Sequence, residues 1–397
     1  MPAVNPKILV WARETADLTL EAAAQALGLN DTRNKTGVEK LYAFEVGEEE
    51  PTRQLLLKMS EKYRRSLLTF YLNEPPRRGD RGQDFRTIRG GALESDNALL
   101  DALIRELKAR QTIVKSLLED EESEQLTFIG SAHMNDGAEA VAHSIQSTTS
   151  FSLGKFREAK TNEDAFGYLR GRVESVGIFV LLAGNLGSHH TAIPIEIFRG
   201  FAIADPIAPF VVVNDNDATS ARCFTVLHEV AHLWLGTTGV SSTSTETYIE
   251  QFCNDVAGEI LLPTAELNEL RKIQYISVTE ALSMLTDFTT ERHISRSMVA
   301  YKLFRTGNIR EAKWRELDTY IRQEWQDRQG KNKEQESKGG PSYYVVRRHR
   351  LGPALLSLVN RSVNEGTLSP TKAGKVLGVK PRNVDPLLQG HSFRGDR

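Results

Sequence analysis

The sequence predicts an α+β chain, mostly helical and multi-domain, with one small β-sheet in its second half. Three observations carry this reading. Apolar residues recur at helical spacing through most of the chain. Three short β-branched and aromatic runs, GIFVLLAG, IFRGFAIA and PFVVVN, stand close together and are bounded by turn residues. A length of 397 residues, at roughly 100–200 per domain, gives two to three domains.

Charge and composition narrow the function classes. The 50 Lys and Arg face 52 Asp and Glu, a net charge of −2, so no global field draws the chain onto nucleic acid or an anionic membrane. The first twenty residues lack a basic start followed by an apolar run, and no apolar stretch is long enough to span a bilayer. The two cysteines, Cys223 and Cys253, read as small buried residues rather than a disulfide. The expectation is a cytoplasmic protein with no membrane partner.

Residues 1–72 read as a helical unit. Ile8, Leu9 and Ala12 begin a first helix, and Asp17-Leu18-Thr19 precedes a second, LEAAAQALG, ending at Gly28. Gly47 and Pro51-Thr52 punctuate the next two helices, and Leu55, Leu56, Met59 and Tyr63 form an apolar stripe. An alanine-rich helix followed by glycine and a turn is a helix-turn-helix pattern. The order resembles the XRE/Cro-type repressor domain, which implies DNA as a partner. Two departures keep a second reading open. NDTRNKTG is longer than that family's turn, and Glu45, Glu48, Glu49 and Glu50 cluster where a basic face is needed. A protein-docking or dimerisation module of the same fold is the competing reading.

Residues 73–125 read as a linker and a connecting helix. The first part is rich in Pro, Gly and Arg, and the second has helical spacing and ends in an acidic run that reads as solvated surface. From 126 the pattern is mixed. Ala138–Ser147 and Asn162–Val176 read as helices, with Asn162 as N-cap, and the three strands follow. An edge strand here is suited to pair with an extended peptide. His189-His190, in the GNLGSHH loop, reads as plain surface.

NDNDATSAR leads from the last strand into FTVLHEVAHLWLG. A spacing of four on an α-helix returns a side chain to the same face, so His228 and His232 present two imidazoles to one metal ion. Glu229 lies beside them as a carboxylate able to take a proton from water, which is the zinc-hydrolase arrangement. The flanking residues are apolar or small, as in a buried helix, and Gly236 supplies a stop. Downstream, ETYIEQFCNDVAGEILLP reads as a second amphipathic helix closed by Pro263, with Glu246, Glu250 and Glu259 as its carboxylates. Glu250 and Asn254 share one face of it. A His-His-Glu set with a fourth position left to water is a catalytic zinc composition.

RGFAI, FTVLHEVAHLWLG and IEQFCNDVAGEILLP together resemble the ImmA/IrrE family of zinc metallopeptidases, many of which carry an XRE-type domain followed by FYLxxPP and DFRT. FYLNEPP and DFRT stand here at Phe70–Pro76 and Asp84–Thr87. The resemblance implies a zincin-like peptidase domain over 126–328, with Zn2+ as cofactor. It implies His228, His232 and Glu250 as ligands and Glu229 as general base, acting on a protein substrate that is typically a DNA-bound repressor of stress-response or mobile-element genes. Asn254, one turn beyond Glu250, is placed to orient a ligand by hydrogen bonding. No residue is singled out as oxyanion donor; Tyr248, His293 and Arg296 are candidates, and each also reads as a structural residue. The alternative is a non-proteolytic DNA- or protein-binding regulator, toxin–antitoxin-like, that retains the peptidase fold.

The end of the chain is different in character. QGKNKEQESKGGPS predicts a flexible linker over 329–341, and 342–397 predicts a small basic helical domain. In that domain Ser369 caps a helix, Gly378 turns the chain and Pro381 opens another helix. DNA is a second partner class here, through the N-terminal domain or through this basic region.

Overall fold

The computed structural model describes residues 4–75, 94–188, 191–237, 245–335 and 342–389; within helices, the side chains of 94–97, 245–247 and 328–335 fall outside this set. The architecture is α+β and mostly helical, with one three-stranded sheet. Two units form. One gathers the N-terminal helices with 185–197, and the other gathers most of the chain from 107 onward.

In the first unit, α1 (Pro6–Glu14), α2 (Leu20–Leu27), α3 (Gly37–Val46) and α4 (Arg53–Lys62) close around Ile8, Leu9, Leu27, Leu41, Leu56 and Met59. Thr19, Thr36 and Thr52 each accept a first-turn N–H, so every helix after the first starts on a threonine cap. The long 29–36 connection is an ordered turn, closed by Gly37 N–H on Asp31 Oδ1 at 2.7 Å and Thr32 N–H on Lys35 O at 2.8 Å. Glu45 does not belong to the surface acid cluster. It is buried and paired with Arg13 in two contacts of 2.7 and 3.1 Å, leaving Glu48, Glu49 and Glu50 exposed.

The long helix α5 (Glu94–Asp120) contributes residues to both units. The second unit continues with α6 (Ala138–Thr149), α7 (Leu153–Arg157) and α8 (Asn162–Glu174). The N-cap of α8 is Thr161, which accepts from Asp164 N–H, and not Asn162, whose side chain meets His293 instead. The strands are β1 (Phe179–Leu182), β2 (Gly200–Ile203) and β3 (Phe210–Val213), in the order β1-β3-β2. β1 runs parallel to β3, and β2 antiparallel to it. All twelve strand residues are buried, which requires cover on both faces and explains why these runs are apolar without alternation.

α9 (Thr219–Trp234) packs on β2 and β3, and α10 (Thr245–Leu261) packs on α9 and α6. The C-terminal carbonyls of α9 are satisfied from residues 126–132: Gly130 N–H donates to Leu233 O and Ala132 N–H to Trp234 O. Phe128 stacks on Trp234 at 4.4 Å, so the same segment also covers the helix's largest side chain. α11 (Val278–Thr290), α12 (Arg296–Arg305) and α13 (Glu311–Gln335) follow. Helix α13 runs seven residues into the expected linker, through 335, because Lys, Glu and Gln are strong helix formers and a single Gly330 does not stop them.

The tail forms α14 (Tyr343–Leu351), α15 (Pro353–Asn364), α16 (Pro370–Leu377) and α17 (Val384–Leu388). It packs in the same unit as α9 and α10, with α14 and α15 against β1, so the expected division near 342 does not separate two packing units. The joint is a buried ion pair. Arg170 on α8 meets Glu174 at 3.1 Å and donates to Val180 O, His349 O and Arg350 O, while Glu174 accepts from Ala354 N–H. Among the described residues, no helix is long and apolar enough to cross a membrane.

Candidate metal centre

From Cys223 to Trp234, α9 is buried at every position but Phe224, so the helix is held from all sides. That fixes the imidazole directions. His228 Nε2 and His232 Nε2 stand 3.1 Å apart, and each lies 3.1 Å from one oxygen of Glu250, which α10 brings across. These three make up a group able to hold a metal ion. The donor set passes the test of fit. Ligand bonds of about 2.0–2.1 Å in a tetrahedral site put neighbouring donors about 3.3 Å apart. Two imidazole nitrogens facing each other at 3.1 Å also call for a cation or a proton between them.

The electrostatics follow from burial and proximity. Burial works to raise the Glu250 carboxyl, but the His228 and His232 imidazoles outweigh it and hold it well below the usual carboxylate range. Burial works against a charged His228, yet contact with Glu250 leaves it raised overall. Glu229 sits in the same helix turn and is pushed up to about 8, chiefly by burial, with the charge of Glu250 adding to the effect. A divalent cation beside it acts in the opposite sense and favours the carboxylate.

Glu229 lies against β2. Asn214 N–H donates to Arg199 O at 2.8 Å, and in the register Ala202↔Val211 this alternation turns the Ala202 N–H away from β3. Glu229 stands within polar reach of that N–H. Gly200 makes this approach possible, since a Cβ there would stand 2.5 Å from Thr225 Cγ2 and 2.9 Å from Glu229 Oε1. The other oxygen, Glu229 Oε2, is buried with no hydrogen-bond partner among the described residues.

Around the ligands, His232 Nδ1 meets Thr237 Oγ1 at 2.9 Å, which fixes the ring with Nε2 toward Glu250. Asn254 stands within polar reach of His228 and of Tyr301, although His228 Nδ1 has no hydrogen bond of ordinary geometry among the described residues. The proposed oxyanion donors are elsewhere engaged or exposed. His293 meets Asn162 Oδ1 at 3.0 Å and Ala159 O at 2.8 Å, Arg296 pairs with Glu324 at 2.6 Å, and Tyr248 is 72% exposed. Glu259 pairs with Lys302 at 2.7 Å. His189-His190 and the side chain of Glu246 lie outside the described residues. Thr237, Gly200 and Ala202 were not singled out as site residues by the sequence reading. Thr237, just past Gly236, carries a helix-end signal, but the β2 contacts leave none in the sequence.

Residues 183–304 match the family model of the IrrE N-terminal-like domain, Peptidase_M78. The match contains β2, β3, α9 and α10, and therefore every residue of the centre just described. It supports the ImmA/IrrE resemblance and gives this segment a peptidase domain; the N-terminal helices are not part of it. No curated protein and no solved structure is similar enough to this chain to count as a match.

Proposed function

We propose that the chain is a zinc-dependent endopeptidase that cleaves a protein, a DNA-binding repressor, and so regulates transcription. The observation that carries the reading is the 3.1 Å triangle of His228, His232 and Glu250 with the buried Glu229 against it. A zinc ion held by the three supplies a Lewis acid for the scissile carbonyl and eases deprotonation of water. Glu229 Oε2, which has no hydrogen-bond donor among the described residues, accepts the proton of the attacking water and returns it to the leaving amine. Ala202 N–H, within polar reach of the same carboxylate, favours its charged form. Thr237 keeps His232 in the ligating tautomer.

The test is co-expression with repressors, beginning with the product of the adjacent gene, comparing the native chain with Glu229→Gln. The variant should keep its metal and lose cleavage. Cleavage that survives Glu229→Gln contradicts the role of this carboxylate, and a substituted chain that also loses its metal points to a structural role instead.

A further inference from the structure

The cations of the tail fall into two groups. Residues 342–389 hold eight Lys and Arg against two acids, Glu365 and Asp385. Four of the eight are used inside the fold. Arg347 donates to Leu377 O at 2.9 and 2.6 Å, and Arg348 to Leu387 O at 3.3 Å, each closing a helix end. Arg350 pairs with Asp215 at 2.6 Å and Arg361 with Glu121 at 2.5 Å. The other four are Lys372, Lys375, Lys380 and Arg382. All are exposed, and among the described residues their side chains have no hydrogen bond or ion pair.

These four are gathered by the fold. Lys372 and Lys375 are three apart on α16 and share a face. Gly378 then turns the chain in the left-handed region, at φ 61°, and Val379 N–H donates back to Gly374 O at 2.8 Å. A Cβ at Gly374 would stand 2.7 Å from Val379 O and 3.3 Å from Pro381 N. This close return lays Lys380 and Arg382 beside the turn of α16 that carries Lys375. Asp385 is the one acid between Gly366 and Gln389.

The chemistry of the face selects its partner. Among the described residues, no large apolar side chain is exposed between 365 and 389. Protein-binding faces centre on apolar and aromatic groups and are poor in Lys, and membrane-surface helices need an apolar face to insert. Single-stranded nucleic acid asks for aromatic platforms. Unpaired cations with none of these are the footprint of a double-stranded phosphate backbone. We propose that the face formed by α16, the turn and α17 binds duplex DNA through its phosphates, without reading sequence. This places DNA contact at the tail and not at the acidic 48–50 edge of the N-terminal unit. It does not depend on the peptidase reading, so either can fail alone.

The test is fluorescence anisotropy of a short labelled duplex of arbitrary sequence with the full-length chain across a salt series. Four phosphate contacts give a slope of log K against log salt of about −3.6, so affinity falls about a hundredfold between roughly 50 and 200 mM salt. Each single Lys→Gln change should flatten the slope by about 0.9, and K372Q/K375Q/K380Q/R382Q should remove all of it. K372R/K375R/K380R should retain binding, and circular dichroism checks that the helices persist. A native chain that does not bind, or binding unchanged in the quadruple variant, overturns the proposal. Tighter binding to phosphatidylserine vesicles, to single strands or to an acidic polypeptide than to the duplex overturns it too.

Discussion

Thr237 shows how one hydroxyl outside the ligand set governs it. Its Oγ1 lies 2.9 Å from His232 Nδ1, so it decides which ring nitrogen carries the proton and leaves Nε2 facing Glu250. Such outer partners are typically worth about 10–100-fold in metal affinity. Thr237→Ala should weaken zinc by that factor in a competition titration, with the helical signal unchanged, and Thr237→Ser should restore it. Equal affinity in all three chains would remove Thr237 from the account. Glu229 illustrates a different dependence, since the space for it comes from Gly200 and it stands within polar reach of a strand N–H. The HEVAH spacing alone places the two histidines on one helix face. It says nothing of the strand that meets the helix, because that contact joins residues far apart in sequence and uses backbone atoms. Glu250 was legible for the opposite reason, lying at a recognisable point of an amphipathic helix.

At the scale of elements, the joint between α8, β1 and the tail rests on Arg170 and Glu174, which are both buried. Removing one member leaves a buried charge uncompensated, a loss of about 3–5 kcal/mol, while replacing both with apolar residues removes that charge and leaves only the backbone groups they served unpaired, a smaller loss. Urea unfolding should therefore show Arg170→Ala much less stable than Arg170→Met/Glu174→Leu. The reverse order would mean that the pair is not what seats α14 and α15. At the start of α11, Ser277 and Glu280 form a capping box. The Ser277 hydroxyl and backbone N–H hold Glu280 below the ordinary 4.5. A depressed carboxyl stabilises the fold above its unfolded value, and that contribution is lost as pH falls through the folded value. The melting-temperature gap between the native chain and Glu280→Ala should accordingly be open at neutral pH and narrow below about 4.5; a gap that widens with acid contradicts the assignment. The helix-period segments and the three apolar strands were readable in advance. The extent of α13 was not, because a polar Lys- and Gln-rich stretch suits a linker and an exposed helix equally.

Across the whole molecule, charge counting could not separate cations that close helix ends from cations that face solvent. Arg347 and Arg348 look no different in sequence from Lys372 and Lys375; only the packing of α14 against α16 and α17 divides them. The packing of α14 and α15 against β1 joins the tail to the unit that carries the candidate metal centre. The centre itself ties α9 to α10 through Glu250, so a bound ion should stabilise that unit as well as equip it for chemistry. The most direct test of the account is the metal content of the purified full-length chain by mass spectrometry, beside Glu250→Ala and Glu229→Gln. About one zinc per chain is expected in the native protein and in Glu229→Gln, and none in Glu250→Ala. A native chain without metal, or an Glu250→Ala chain that keeps it, would contradict the metal centre at His228, His232 and Glu250.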